Sequence, residues 1–149
     1  MSNLPIKQVN YTEELSTIET IRRLVFQEEQ GVAPELDFDG QDEVAEHLLA
    51  YLDSQPVGTV RIRFLNPKTA KIERLAVLPG ARGKGLGKKL MQAAIEIVEE
   101  KGNCQEIIIH AQDYIKELHK QLGFEPIGNP FYEAGILHVK MVKRLKTKD

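Results

Sequence analysis

Apolar residues recur at helical spacing over Glu13–Gln30, where Ile18, Ile21, Leu24 and Val25 fall on one face. Thr12 stands as an N-cap candidate and Gly31 follows the last turn. Ile6–Val9 fits a short first strand. Pro34 to Gln41 reads as a loop with an acidic tip, and Glu43–Glu46 as one further helical turn. The pattern then alternates. His47–Leu52 and Pro56–Leu65 are strand-like runs separated by Asp53-Ser54-Gln55, as in a hairpin. In the second run Val60, Ile62 and Phe64 face one way, while Thr59, Arg61 and Arg63 face the other.

Beyond Asn66-Pro67-Lys68, Ala70–Leu78 is another strand. A helix from about Leu86 carries Leu90, Ala93, Ala94, Ile97 and Val98 on one face and stops near Lys101-Gly102. Glu106–His110 is a short buried strand, Asp113–Leu122 a second helix, and Phe131–Val142 closes with one or two strands. Antiparallel hairpins followed by strand–helix–strand–helix predict an α/β (α+β) fold, a mixed and mostly antiparallel central sheet with helices on both faces. The strand–helix–strand step makes Ala70–Leu78 and Glu106–His110 parallel neighbours with a right-handed crossover. With no internal repeat or linker, residues 1–149 are expected to form one domain.

The stretch between Ala70–Leu78 and its helix carries the chemistry. Arg82-Gly83-Lys84-Gly85-Leu86-Gly87 can turn tightly and aim successive N–H groups at one point. The following helix adds its unpaired N–H groups and the positive end of its dipole, and Arg82, Lys84 and Lys88 add cations. These make a site for a di-anion, best a pyrophosphate. The triphosphate-binding pattern G-x-x-x-x-G-K-[ST] fails on spacing, because Gly83 is one residue too close to Gly87-Lys88 and Lys89 replaces Ser or Thr. The dinucleotide pattern G-x-G-x-x-G fails as well. What remains is R-x-x-G-x-G, formed by Arg82, Gly85 and Gly87.

Charge changes this picture little. Lys and Arg total 20 against 22 Asp and Glu, a net charge of −2, so no nucleic acid partner is indicated. The basic finish Lys140–Lys148 reads as a solvated terminus. A single cysteine, Cys104, excludes an internal disulfide and suits a reducing compartment; no nearby base marks it as a nucleophile. The first residues lack a signal-peptide pattern and no apolar run reaches membrane-spanning length, so a cytoplasmic protein without membrane attachment is expected.

These residues resemble the GNAT superfamily of acyl-CoA-dependent N-acyltransferases over nearly the whole chain. The Arg82–Gly87 turn is similar to its R/Q-x-x-G-x-G/A loop, and Leu118-His119-Lys120-Gln121-Leu122-Gly123-Phe124 to its later FYEKLGF segment. A closer likeness is to the YjcF/ElaA-type bacterial branch. It rests on Arg23–Gln30 with the acidic loop after it, His110-Ala111-Gln112, and Glu133-Ala134-Gly135-Ile136-Leu137-His138. The resemblance implies that the turn (Arg82, Gly83, Lys84, Gly85, Leu86, Gly87, Lys88) binds the pyrophosphate of acetyl-CoA. It also implies a bulged strand splayed from its parallel neighbour, with Leu75, Ala76 and Val77 offering backbone groups to the pantothenate arm. Gln112 stands where an asparagine is common and would also touch the cofactor. A free backbone N–H near the bulge would hold the thioester oxyanion.

Acyl transfer to an amine needs a neutral amine and a proton for the departing thiolate. Glu73 matches a glutamate base of some relatives, with a cross-strand ion pair to Arg61 or Arg63 as the competing role. His119 replaces the tyrosine that usually protonates the thiolate; a partly exposed surface histidine is its other reading, with Tyr114 and Tyr132 as fallback donors. Arg22, Phe26, Gln30 and His47 are candidates for the acceptor pocket, with the core competing for Phe26 and an ion pair for Arg22. Asp37 to Asp42 superficially suggests calcium but lacks the third alternate ligand and the later glutamate, so a turn or an amine-attracting rim is expected and no metal. The expected function is transfer of acetyl from acetyl-CoA to a primary amine, small molecule or peptide, by direct attack in a ternary complex. Alternatives are a catalytically weak or inactive CoA-binding or regulatory module, and a different nucleotide binder using the same turn. The terminal strand is expected to offer an edge for a homodimer.

Overall fold

The structure, a computed structural model, describes residues 6–146. The end of the basic run Lys140–Lys148 therefore lies outside the described residues. Strands β2 (Glu46–Leu52) and β3 (Gln55–Asn66) form the expected hairpin. Its two turn residues, Asp53 and Ser54, both take positive φ (51° and 67°), the turn geometry that matches the twist of paired strands. β1 (Ile6–Val9) pairs antiparallel with β2, and β4 (Thr69–Val77) with β3. β5 (Glu106–Gln112) lies parallel to β4, as the crossover pattern required. The last hairpin, β6 (Glu125–Glu133) and β7 (Ile136–Arg144), completes a seven-stranded sheet in the order β1-β2-β3-β4-β5-β7-β6. The terminal strand β7 is thus paired on both sides, by β5 and β6, and offers no edge to a second subunit. Chain reversal at Ala134-Gly135 leaves β6, not β7, outermost.

Helices cover both faces. α3 (Leu86–Glu100) buries Leu86, Leu90, Met91, Ala94 and Val98 on Val60, Ile62, Ala70, Ile72, Ile107 and Ile109. Each such leucine contributes roughly 1.5–3 kcal/mol by leaving water. α1 (Leu15–Arg22) lies on the opposite face with Ile18 and Ile21 against Leu49 and Ala76. α4 (Lys116–Gln121), entered through a 3-10 turn at Asp113–Ile115, adds Leu118 to the α3 side.

The first helix departs from expectation in two ways, and the segment after it in two more. It starts at Leu15, after a turn in which the Glu13 N–H donates to Asn10 Oδ1 (3.2 Å) and the Glu14 N–H to the Asn10 carbonyl (3.0 Å), so Thr12 is not its cap. From Arg23 to Glu29 the coil widens into a π-helix, with the Gln30 N–H reaching the Val25 carbonyl five residues back. A short helix α2 (Pro34–Asp37) interrupts the predicted loop, with proline at its first position. Glu43–Glu46 is not helical; Glu46 already belongs to β2.

Two irregularities in β4 create the opening that matters. Between the pairs Arg61–Glu73 and Thr59–Ala76, β4 carries one residue more than β3, a bulge centred on Arg74 at φ 59°. On its other side β4 pairs with β5 only through Thr69–Glu106, Ala70–Ile107 and Lys71–Ile108. Both strands run on past that point, β4 to Val77 and β5 to Gln112, but apart.

Candidate active site

The parting of β4 and β5 opens into a cavity of about 780 Å³ that runs from the glycine turn, through the gap, to the β6–β7 hairpin. At the turn, Gly83 and Gly85 take φ of +81° and +79°, values that only glycine adopts freely. Gly85 is the N-cap residue of α3 and has no side-chain cap, so the first helical N–H groups of Leu86, Gly87 and Lys88 remain available. Nothing lies within 4 Å of a Cβ placed on Gly83, Gly85 or Gly87, so the cradle has room for a pyrophosphate. Lys88 lines the cavity, whereas Lys84 is exposed and stands off its wall.

Arg82 is fixed rather than free. Its Nε donates to the Val77 carbonyl at 2.9 Å and its terminal nitrogens hold Glu29 at 2.6 and 2.7 Å. Beside it the Leu78 N–H donates to the Val57 carbonyl, so strand alternation turns the backbone groups of Val77 toward the open edge. Leu75 and Val77 line the gap, while Ala76 turns its side chain into the core beneath α1.

Glu73 lies on the cavity wall but inside an ion-pair network. Arg61 contacts its carboxylate closely, Arg63 Nε stands at 2.5 Å and Lys71 Nζ at 3.3 Å. Burial alone would raise its pKa; the hydrogen bond from Arg63 and the charges of Arg61, Lys71 and Arg63 overrule that and hold it at about 2. The cross-strand ion pair is therefore present, and a carboxylate so stabilised accepts an ammonium proton poorly.

The same network consumes the acidic loop. Arg61 holds Asp39 (2.8 and 2.9 Å) and Asp42 (2.9 Å), Arg22 holds Asp37 (2.9 Å) and Asp42 (2.6 Å), and Arg74 reaches Asp39 at 3.2 Å. These carboxylates form neither a calcium loop nor a free rim that attracts amines. Arg22 itself is 1 % exposed and lies outside the cavity, a buried strut rather than an acceptor residue or a surface pair. His47 is equally buried, its Nε2 2.8 Å from the Asp42 carbonyl and its ring stacked on Tyr11, so it too leaves the acceptor list. Phe26 and Gln30 do line the cavity, turned there by the widened π-helical segment.

Gln112, at the end of β5, lines the cavity but spends its amide on Gln30, with its Nε2 3.0 Å from Gln30 Oε1. His119 also lines the cavity and is 4 % exposed, not a partly exposed surface residue. Burial pushes its pKa down to about 4, so the ring is neutral at pH 7. Its Nδ1 has no hydrogen-bond partner, and Phe124 packs edge-on at 6.1 Å. Tyr114 reaches the cavity; Tyr132 does not. Sequence reasoning missed Arg63, Lys71 and Arg74 as wall residues, and His110, Glu133 and His138 as a cluster at the far end. The signal was the alternation of β5 and β7, which puts His110, Gln112 and His138 on one face.

A mixed sheet split between one parallel pair, with a glycine cradle at the mouth of the split, defines an α/β protein with a cavity at its strand ends, where ligands of such sheets bind. A family model described as "Acetyltransferase (GNAT) domain" matches residues 19–145, and the chain belongs to that family. It is 39 % identical to the uncharacterized protein YyaT of Bacillus subtilis, over 94 % of this chain and 95 % of that one. It is 32 % identical to the uncharacterized N-acetyltransferase YjcF of the same organism, over 88 % and 93 %. The crystal structure of Escherichia coli ElaA superposes with a TM-score of 0.83 at 23 % identity, covering 95 % of this chain and 99 % of the other. A GNAT family acetyltransferase from Elizabethkingia anophelis, solved with acetyl-CoA bound, shares the fold at a TM-score of 0.74 and 16 % identity, over 97 % and 100 %. The expected likeness to the YjcF/ElaA branch is thereby met. Among the described residues no helix is long and apolar enough to cross a membrane.

Proposed function

We propose that this protein transfers an acetyl group from acetyl-CoA to a primary amine, by direct attack of the amine on the thioester. The observation that carries this reading is the gap between β4 and β5, which ends at an empty-sided glycine cradle on the N-terminus of α3. The cradle would take the pyrophosphate through the N–H groups of Leu86, Gly87 and Lys88, with the Lys88 charge beside them. The edge of β4 at Leu75 and Val77 would pair with the amide-bearing arm, and the bulge frees backbone there to face a developing oxyanion. Neutral His119 lies on the cavity wall with its buried Nδ1 unpartnered, and would have to turn its ring to offer that nitrogen to the sulfur end of the ligand.

Isothermal titration tests the donor half: acetyl-CoA binds the wild type, and Gly85→Glu abolishes binding while circular dichroism stays native. Failure of the wild type to bind acetyl-CoA would sink the reading. A second reading, a CoA-binding module without turnover, draws on the neutral histidine at position 119 in place of the expected tyrosine. Free-thiol release with polyamines, amino sugars and amino-acid amides separates the two. Binding without release with any of these amines favours the module.

A further inference from the structure

Counting on from the last β4–β5 pair, Lys71 with Ile108, brings Glu73 and His110 level on opposite walls of the gap. His110 Nδ1 lies 3.1 Å from Glu133 Oε1. The other Glu133 oxygen is 3.9 Å from Nε2 of His138, whose Nδ1–H donates to the Ile136 carbonyl at 2.7 Å. Phe131 braces both rings, edge-on to His110 at 5.1 Å and stacked on His138 at 6.0 Å. His110, Glu133 and His138 all line the cavity, and among the described residues His110 Nε2 has no hydrogen-bond partner.

This is the arrangement of a base oriented by a carboxylate. His110 pulls the Glu133 carboxyl below its ordinary range, so that group is ionised and can only accept. The proton of a neutral His110 therefore sits on Nδ1, and the bare Nε2 remains for a ligand. Glu73 is spent on Arg61, Arg63 and Lys71, and His119 is shut from water, so neither competes for an ammonium proton.

We propose that His110 is the general base of the transfer, with Glu133 as its positioning residue. The inference rests on the acetyltransferase reading above. Nε2 takes one proton from the acceptor ammonium. The neutral nitrogen then forms the C–N bond as the C–S bond breaks, and the second nitrogen proton passes to the departing thiolate. His110 returns its proton to water, so each turnover releases one. Titratable groups facing His110 are Lys71 and Glu73 from β4, Glu133 from β6, and from β7 His138 and Lys140, the latter the cross-strand partner of His110. The π-helical segment brings the neutral Gln30 amide to neighbouring Gln112.

The test has two arms. In the first, nitrogen-15 NMR of histidine-labelled protein with acetyl-CoA bound, assigned against His110→Gln, reads the tautomer. A proton on Nδ1 and a bare Nε2 are expected; the reverse overturns the proposal, whether or not an acceptor has been found. In the second, free-thiol release is followed with alkyl primary amines and with methoxyamine, whose nitrogen is already neutral at pH 7. His110→Gln should lose about 100-fold in kcat/KM with alkyl amines and less than about tenfold with methoxyamine. Glu133→Gln should lose less and move the inflection of the pH–rate curve downward, because the imidazolium loses its carboxylate. Equal losses with both kinds of amine, or an unchanged pH profile in His110→Gln, would overturn it. Calorimetric acetyl-CoA affinity should not change in His110→Gln; absence of binding in the wild type would fault the acetyltransferase reading instead.

Discussion

Arg82 ties the glycine turn to the π-helical segment, holding Glu29 at 2.6 and 2.7 Å while its Nε caps the Val77 carbonyl at 2.9 Å. One side chain thus sets the distance between the glycine cradle and the strand edge proposed to carry the rest of the ligand.

Arg82→Ala should therefore weaken acetyl-CoA binding by about tenfold with little loss of stability. The pair is 42 % and 38 % exposed, a setting in which an ion pair contributes about 0–1 kcal/mol. Calorimetry and urea unfolding of the same preparation check both halves. A large fall in stability with unaltered affinity would refute the positioning role.

Stability should fall with acid in two separate windows. His119 is held neutral in the fold at about 4 against an ordinary 6.5, so the unfolded chain binds its proton first. Its contribution is complete above pH 6.5 and is lost as pH falls toward 4, on the order of 3 kcal/mol in all. Glu73 is held ionised at about 2 against 4.5, so its contribution is complete above pH 4.5 and is lost toward pH 2. Urea midpoints measured from pH 7.5 to 2.5 should show His119→Phe flattening the upper window and Glu73→Gln the lower. Identical pH slopes in all three proteins would contradict this.

The sheet, the parallel crossover and the glycine turn at the start of α3 were legible because each rests on local rules: alternation, a two-residue turn, and glycines before an amphipathic run. The network was not legible, because Arg22, Arg61 and Arg74 meet Asp37, Asp39 and Asp42 only after four elements have packed. Periodicity put Arg61 on the face opposite Val60 and Ile62 without saying how deep it lies; it is 1 % exposed because the acidic loop folds over that face. The π-helix was hidden for a similar reason, since one extra residue per turn leaves no mark in an apolar pattern read at 3.6. The surface reading of His119, offered beside the acid role, failed because the lysines around it in sequence say nothing of the burial that packing against Phe124 brings.

Gly58 lies where α3 packs tightly on the sheet. A Cβ there would stand 3.0 Å from Leu90 Cδ1 and 3.2 Å from the Ala76 carbonyl, and the carbonyl cannot yield without moving the bulged strand. Gly58→Ala should cost about 1–3 kcal/mol, the usual range for overpacking. Gly87→Ala, whose Cβ meets nothing within 4 Å, should change the melting temperature far less. Differential scanning calorimetry distinguishes them, and equal melting temperatures would mean that α3 rides further from the sheet than described.

Arg61 gives the strongest prediction for the core. Its guanidinium bonds Asp39, Asp42 and Glu73 at once, and Asp42 and Glu73 have side chains only 7 % and 8 % exposed. Arg61→Met would preserve most of the packing but strip one counter-charge from each of these carboxylates, leaving Asp42 to Arg22 and Glu73 to Arg63 and Lys71. Breaking a buried pair from one side costs about 3–5 kcal/mol, because the remaining charge has lost its solvent as well as its partner. Adding Glu73→Gln and Asp42→Asn to Arg61→Met removes the orphaned charges and should restore a large part of the loss, whereas Arg61→Lys, with one nitrogen for three carboxylates, should restore little. Urea unfolding of the single and triple variants decides the matter. If the triple variant is no more stable than Arg61→Met, the cost lies in packing rather than in uncompensated charge.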